Sequence, residues 1–128
     1  MLKDFKPLYI KTSIEYLNNL NENLQKLSVK PDNQDVINQI YIDTHSLKSQ
    51  SMAMGFNSTG MLAGIIEHIF KNIKDGTMNV SGKLIKLLIT SQEVLKSSIN
   101  KIQNGNQELD LNDNIENLKK ELNLKPNF

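Results

Sequence analysis

The chain contains no cysteine, which excludes a disulfide framework, a thiolate metal site and cysteine nucleophile chemistry together. It contains no arginine either, since all 15 basic residues are lysine. The planar fork that recognises phosphate or carboxylate through two parallel bonds is therefore absent. Neither sign of charge is in excess: 15 basic residues face 14 acidic ones, for a net charge of +1. That argues against a polyphosphate-binding arm or an acidic tail as a main feature. Neither nucleic acid nor a membrane is expected as a partner. The two histidines, His45 and His68, are too few for the usual protein-built zinc site. No apolar run approaches the roughly 20 residues of a membrane span. The opening MLKDFKPLYI also lacks a signal-peptide pattern. A cytoplasmic location is the expectation.

What is present has the make-up of an ordinary globular protein. The 128 residues, 38% hydrophobic and 23% charged, suit a single domain over 1–128. Asparagine is abundant, but the hydrophobic periodicity continues through it, so it reads as composition bias rather than a low-complexity tract.

That periodicity is helical throughout. A first segment, about 5–27, places Ile10, Ile14, Leu17, Leu20, Leu24 and Leu27 at steps of three and four, with Pro7 suited to its first turn. A second begins after Pro31, with Asp32 as N-cap, and buries Ile37, Ile40, Thr44, Leu47, Ser51 and Met54 before Gly55 stops it. A third runs from about Asn57 to Lys74 on Leu62, Ile65, Ile66, Ile69 and Ile73. Ser81 caps a fourth, about 82–103, on Leu84, Leu87, Leu88, Val94, Leu95, Ile99 and Ile102, closed by Gly105. A shorter fifth, about 112–123, uses Ile115, Leu118 and Leu122. Short connections force antiparallel neighbours. The expected fold is all-α: an antiparallel up-and-down four-helix bundle over about 5–104 with an additional shorter C-terminal helix.

Apolar stripes carry no functional information in a bundle, so candidate chemistry lies beside them. At about 100° per residue, His45 falls outside the centre of the second stripe, sharing its flank with Tyr41, Lys48 and Met52. Folding the third segment back at Phe56 brings His45 level with Glu67, each eleven positions from the turn, or about 16 Å along the helix. Glu67 also stands one step off its stripe. A carboxylate there can hold one imidazole nitrogen and leave the other as an outward nucleophile. The same arithmetic levels Lys48 with Gly64, whose missing side chain leaves room. On their own, such flank residues are more often solvated surface than a site. His68 points away from its stripe, and its adjacency to Glu67 is not a ligand spacing. The Glu-x-x-His pairs of a di-metal bundle are absent.

The local sequence tips the balance. Thr44-His45-Ser46-Leu47-Lys48, followed by small residues and then Gly55-Phe56, resembles the histidine-phosphotransfer (HPt) motif. With Ser46 after the histidine and Glu67 in register, it is most similar to the N-terminal phosphotransfer domains of CheA-type chemotaxis kinases. Ser49 stands where glycine is common, Gln50 follows it, and Gly64 stands where some CheA-type domains carry a second histidine.

The resemblance implies a phosphoryl carrier of two-component signalling. His45 is its phosphoacceptor, Lys48 stabilises charge on the phosphoryl group, and Glu67 orients the imidazole. The partners it implies are a histidine kinase catalytic domain and a response-regulator receiver domain with its aspartate. It implies no cofactor bound by this domain, because ATP and Mg²⁺ act through the partners. No glycine-rich phosphate loop is present for nucleotide. A free-standing HPt protein of a multistep relay and a non-catalytic helical adaptor are the alternatives. A dimerising sensor-kinase phosphoacceptor domain fits poorly, because Ser46 occupies the place of its usual acidic residue, and a monomer is expected.

Overall fold

Among residues 2–124, which the computed structural model describes, the chain forms five helices and no strand. They are α1 (Leu2–Val29), α2 (Gln34–Ala53), α3 (Asn57–Lys74), α4 (Gly82–Gly105) and α5 (Asn112–Glu121). The ends of the expected 1–128 domain, residue 1 and residues 125–128, lie outside the described residues. α1 packs on α2 and α4, α3 packs on the same two helices, and α5 lies against α3. This is the expected antiparallel four-helix bundle with a fifth helix added. The α2–α3 contact is the most extensive. No described helix is long and apolar enough to cross a membrane.

The core follows the three-and-four stepping. Leu17, Leu24, Ile40, Ile66, Phe70 and Leu88 are among its fully buried side chains. Apolar burial of this kind supplies the main favourable energy of folding. In α4 the expected Leu84, Leu88, Leu95, Ile99 and Ile102 are buried, and the departures lie at the edges of that stripe. Leu87 and Val94 are half-buried, while Ile85, Ser91, Gln92 and Ser98 are buried beside Leu84, Leu88 and Leu95. These polar side chains fit inside because they are bonded. Ser91 donates to the Leu87 carbonyl at 2.9 Å, and Gln92 donates to the Leu17 carbonyl at 3.4 Å. Met54, the C-cap residue of α2, is likewise half-buried.

Helix ends depart from expectation in several places. The α2 N-cap is Asn33, not Asp32: its extended backbone lets its side chain accept from Val36 N at 3.2 Å. Asp32 sits one residue too early, inside the turn. α1 extends N-terminal of Pro7, which lies inside the helix and so gives up one backbone bond. α4 includes Gly105, and the left-handed residue that ends it is Asn106, at φ 61°. Asparagine is the usual alternative to glycine there. α5 ends at Glu121, two residues earlier than expected.

Candidate functional site

The site depends on how α2 turns into α3. Gly55 takes φ 85°, a conformation that favours glycine. Gly55 N donates to the Met52 carbonyl at 3.0 Å, and Phe56 N donates to the Ser51 carbonyl at 2.8 Å. That double closure satisfies the last carbonyls of α2. Phe56 is buried and stacks on Tyr9 of α1, with ring centroids 5.6 Å apart. Tyr9 in turn bonds Ser51 at 2.7 Å. The turn is pinned, so pairs equidistant from Phe56 meet across the two helices. Lys74, eighteen positions after it, donates to Asn38, eighteen before it, at 2.7 Å.

His45 and Glu67 obey the same rule. His45 Nδ1 lies 2.6 Å from Glu67 Oε2. The His45 side chain is 57% exposed, whereas Glu67 is only 12% exposed. A carboxylate at Nδ1 favours the tautomer that donates from that nitrogen. Nε2 makes no hydrogen bond to any described residue. Lys48 completes the cluster in a way the spacing did not reveal. Its ammonium lies 2.7 Å from Glu67 Oε1, so one carboxylate holds both partners. Burial pushes the Glu67 carboxyl up, but the hydrogen bonds and charges of Lys48 and His45 outweigh it and hold the group below its ordinary value. Glu67 is therefore an anion at neutral pH.

The structure thus brings His45, Lys48 and Glu67 together. His68 lies on the exposed face of α3 beside Glu67 and lines a groove that also includes Lys48, Met52, Met61 and Gly64. Ser49 is exposed. Gln50 acts as a strut to α1: Thr12 donates to its Oε1 at 3.0 Å, and its Nε2 donates to Tyr16 Oη at 3.2 Å. Sequence reasoning also missed Glu108, in the loop before α5. Its carboxylate receives Ser58 N at 3.1 Å and Thr59 N at 2.7 Å, capping α3. Among the described residues no group of three or more histidine, aspartate or glutamate side chains could hold a metal ion.

An exposed imidazole on a bundle helix, oriented by a carboxylate from the next helix, accords with what family comparison finds. Residues 4–121 match the Hpt domain family. The chain belongs to that family. It is similar to the chemotaxis protein CheA of Listeria monocytogenes, with 27% identity over 107 residues, covering 84% of this chain and 17% of that protein. It is similar also to the chemotaxis protein CheA of Borreliella burgdorferi, with 33% identity over 80 residues, covering 62% of this chain and 9% of that protein. The chain therefore spans only a small part of the length of these relatives. In fold it resembles the phosphorylated P1 domain of CheA3, solved in complex with CheY6 from R. sphaeroides. The TM-score is 0.85 at 14% identity, over 94% of this chain and 96% of that one.

Proposed function

We propose that the chain is a phosphoryl carrier of two-component signalling, working in the cytoplasm as the phosphotransfer domain of a CheA-type chemotaxis kinase. A kinase catalytic domain loads His45 from ATP, and the aspartate of a response-regulator receiver domain removes the phosphoryl group. The observation that carries this reading is the contact of 2.6 Å between Glu67 and Nδ1 on an otherwise exposed ring. The relatives support the same class: they are chemotaxis CheA proteins, and the P1 domain of similar fold was captured phosphorylated and in complex with CheY6.

Nδ1 keeps its proton on Glu67, so the lone pair of Nε2 is the one that attacks. The N–P bond forms as the bond from phosphorus to the bridging oxygen breaks, and ADP leaves with that electron pair. The ring gains positive charge as Nε2 donates, and the Glu67 carboxylate stabilises it. In the return step a receiver carboxylate attacks phosphorus, and the N–P electron pair goes back to Nε2. Phosphoryl transfer depends chiefly on position and charge. A carrier therefore needs little beyond an exposed nucleophile on a rigid helix. Lys48 adds a positive charge near the phosphoryl oxygens, as a point charge rather than a fork. ATP and Mg²⁺ are supplied by the partner domains. Exposed Met52 and Met61 offer the partners an adaptable apolar margin beside the site.

Mixing the phosphorylated domain with a receiver domain tests the carrier step. Label moves to the receiver aspartate in the wild type. Label that stays on the domain, or is lost only to water, contradicts the proposal.

A further inference from the structure

Gly60 and Gly64 lie one turn apart on α3, each opposite a flank residue of α2. A Cβ at Gly64 would stand 2.9 Å from Lys48 Cδ and 3.5 Å from its Cγ. A Cβ at Gly60 would stand 3.0 Å from both Cγ and Sδ of Met52. The lysine stem therefore crosses α3 where a side chain would otherwise project. Its ammonium ends 2.7 Å from Glu67, three residues further along the same helix.

We infer that Gly64 is a positioning residue of the site: by leaving α3 bare at that level, it seats Lys48 on Glu67 and neutralises the carboxylate that faces the reacting imidazole. The geometry stands by itself, whereas its consequence rests on the carrier function proposed above. A phosphoryl group reaching His45 is an anion, and Glu67 is bonded to the same ring. Like charges a few ångströms apart at a partly solvated surface repel appreciably. Lys48 offsets that repulsion only while it is seated. A larger residue at position 64 pushes the stem outward and exposes the full charge of Glu67. Besides Lys48, the ionisable groups that face Glu67 or share its groove are His45 and Tyr41 on α2 and, on α3 itself, His68 and Lys71. Leu122, Asn123 and Leu124, which line the groove from beyond α5, carry no titratable side chain.

Two readouts test this in the intact 128-residue chain. The first is NMR titration of the Glu67 carboxyl carbon in wild type, Gly64→Ala, Gly64→Leu, Lys48→Met and the Gly64→Leu/Lys48→Met double variant. The titration midpoint rises in Gly64→Leu by about half a pH unit, toward that of Lys48→Met. The double variant titrates like Lys48→Met alone. Gly60→Ala, which displaces Met52 and leaves Lys48 untouched, titrates like wild type. If leucine disturbs folding, Gly64→Ala decides, because alanine suits a helix better than glycine. The second readout is phosphoryl loading, which slows several-fold in Gly64→Leu at low ionic strength and recovers with salt, as screened repulsion must. Unchanged Glu67 titration in folded Gly64 variants overturns the inference. A shifted titration in a chain that never accepts phosphate supports the Lys48 seat and overturns the carrier function instead.

Discussion

Glu108 Oε1 accepts from both the backbone nitrogen and the hydroxyl of Thr59, each at 2.7 Å. Thr59 belongs to the first turn of α3, whose own N-cap residue, Phe56, provides no side-chain bond. Ser58 returns the contact by accepting from Leu111 N at 2.8 Å. The start of α3 sets the register that brings Glu67 to His45, and it is held by the loop that leads into α5.

Removing that remote cap destabilises the fold. Glu108→Ala leaves the Ser58 and Thr59 amides without their acceptor, at an expected cost of about 1–3 kcal/mol. Chemical denaturation gives the stability change, and hydrogen exchange shows faster exchange at those two amides. A loss within the usual surface range of about 0.5 kcal/mol would mean that water caps the helix equally well.

The sequence makes the α2–α3 register readable because Gly55-Phe56 marks the turn and the helical rise is constant. Those two facts bring His45 level with Glu67, and the position of each one step off its apolar stripe turns them toward a common groove. The Glu108 cap could not, since its partners lie about fifty positions away and no local pattern encodes a carboxylate arriving from a loop. The Lys48–Glu67 pair was hidden for another reason. Helical spacing places a lysine on a face, but the direction of its long stem depends on the space above Gly64. At the start of α2, Asp32 and Asn33 are equally good cap types, and only the backbone geometry selects Asn33. In α4 an apolar stripe does not reveal the buried Ser91, Gln92 and Ser98, because each is a polar residue at a core-facing step.

The state of Glu67 makes part of the stability depend on pH. Its carboxyl is held below its ordinary value of 4.5 in the folded chain. The folded state therefore binds fewer protons there than the unfolded state, and stability rises with pH across that range. The contribution is present above 4.5 and lost as pH falls through the lower folded value. The stability difference between wild type and Glu67→Gln should be constant at neutral pH and shrink on acidification below that point. A difference that does not vary with pH would remove the ion pair from the stability of the fold.

Asp43 behaves in the opposite sense. It is buried in α2, with Oδ1 accepting from Gln39 at 2.9 Å and Oδ2 bonding none of the described residues. Burial raises its carboxyl above the ordinary 3.8. The folded state then favours the protonated form, so its contribution is full below 3.8 and is lost as pH rises through the folded value. Relative to wild type, Asp43→Asn gains stability between acid and neutral pH in denaturation experiments. A gap that stays constant would show that Asp43 titrates alike in both states.

The most direct measurement is where the phosphoryl group lands. The domain is incubated with a CheA-type kinase core and labelled ATP, and the label is located by mass spectrometry under alkaline conditions, where phosphohistidine persists. His45, oriented by Glu67 and open at Nε2, should carry all of it, and His45→Gln should carry none while keeping its fold. Label retained by His45→Gln, or found on His68, would contradict the assignment of His45 as the phosphoacceptor.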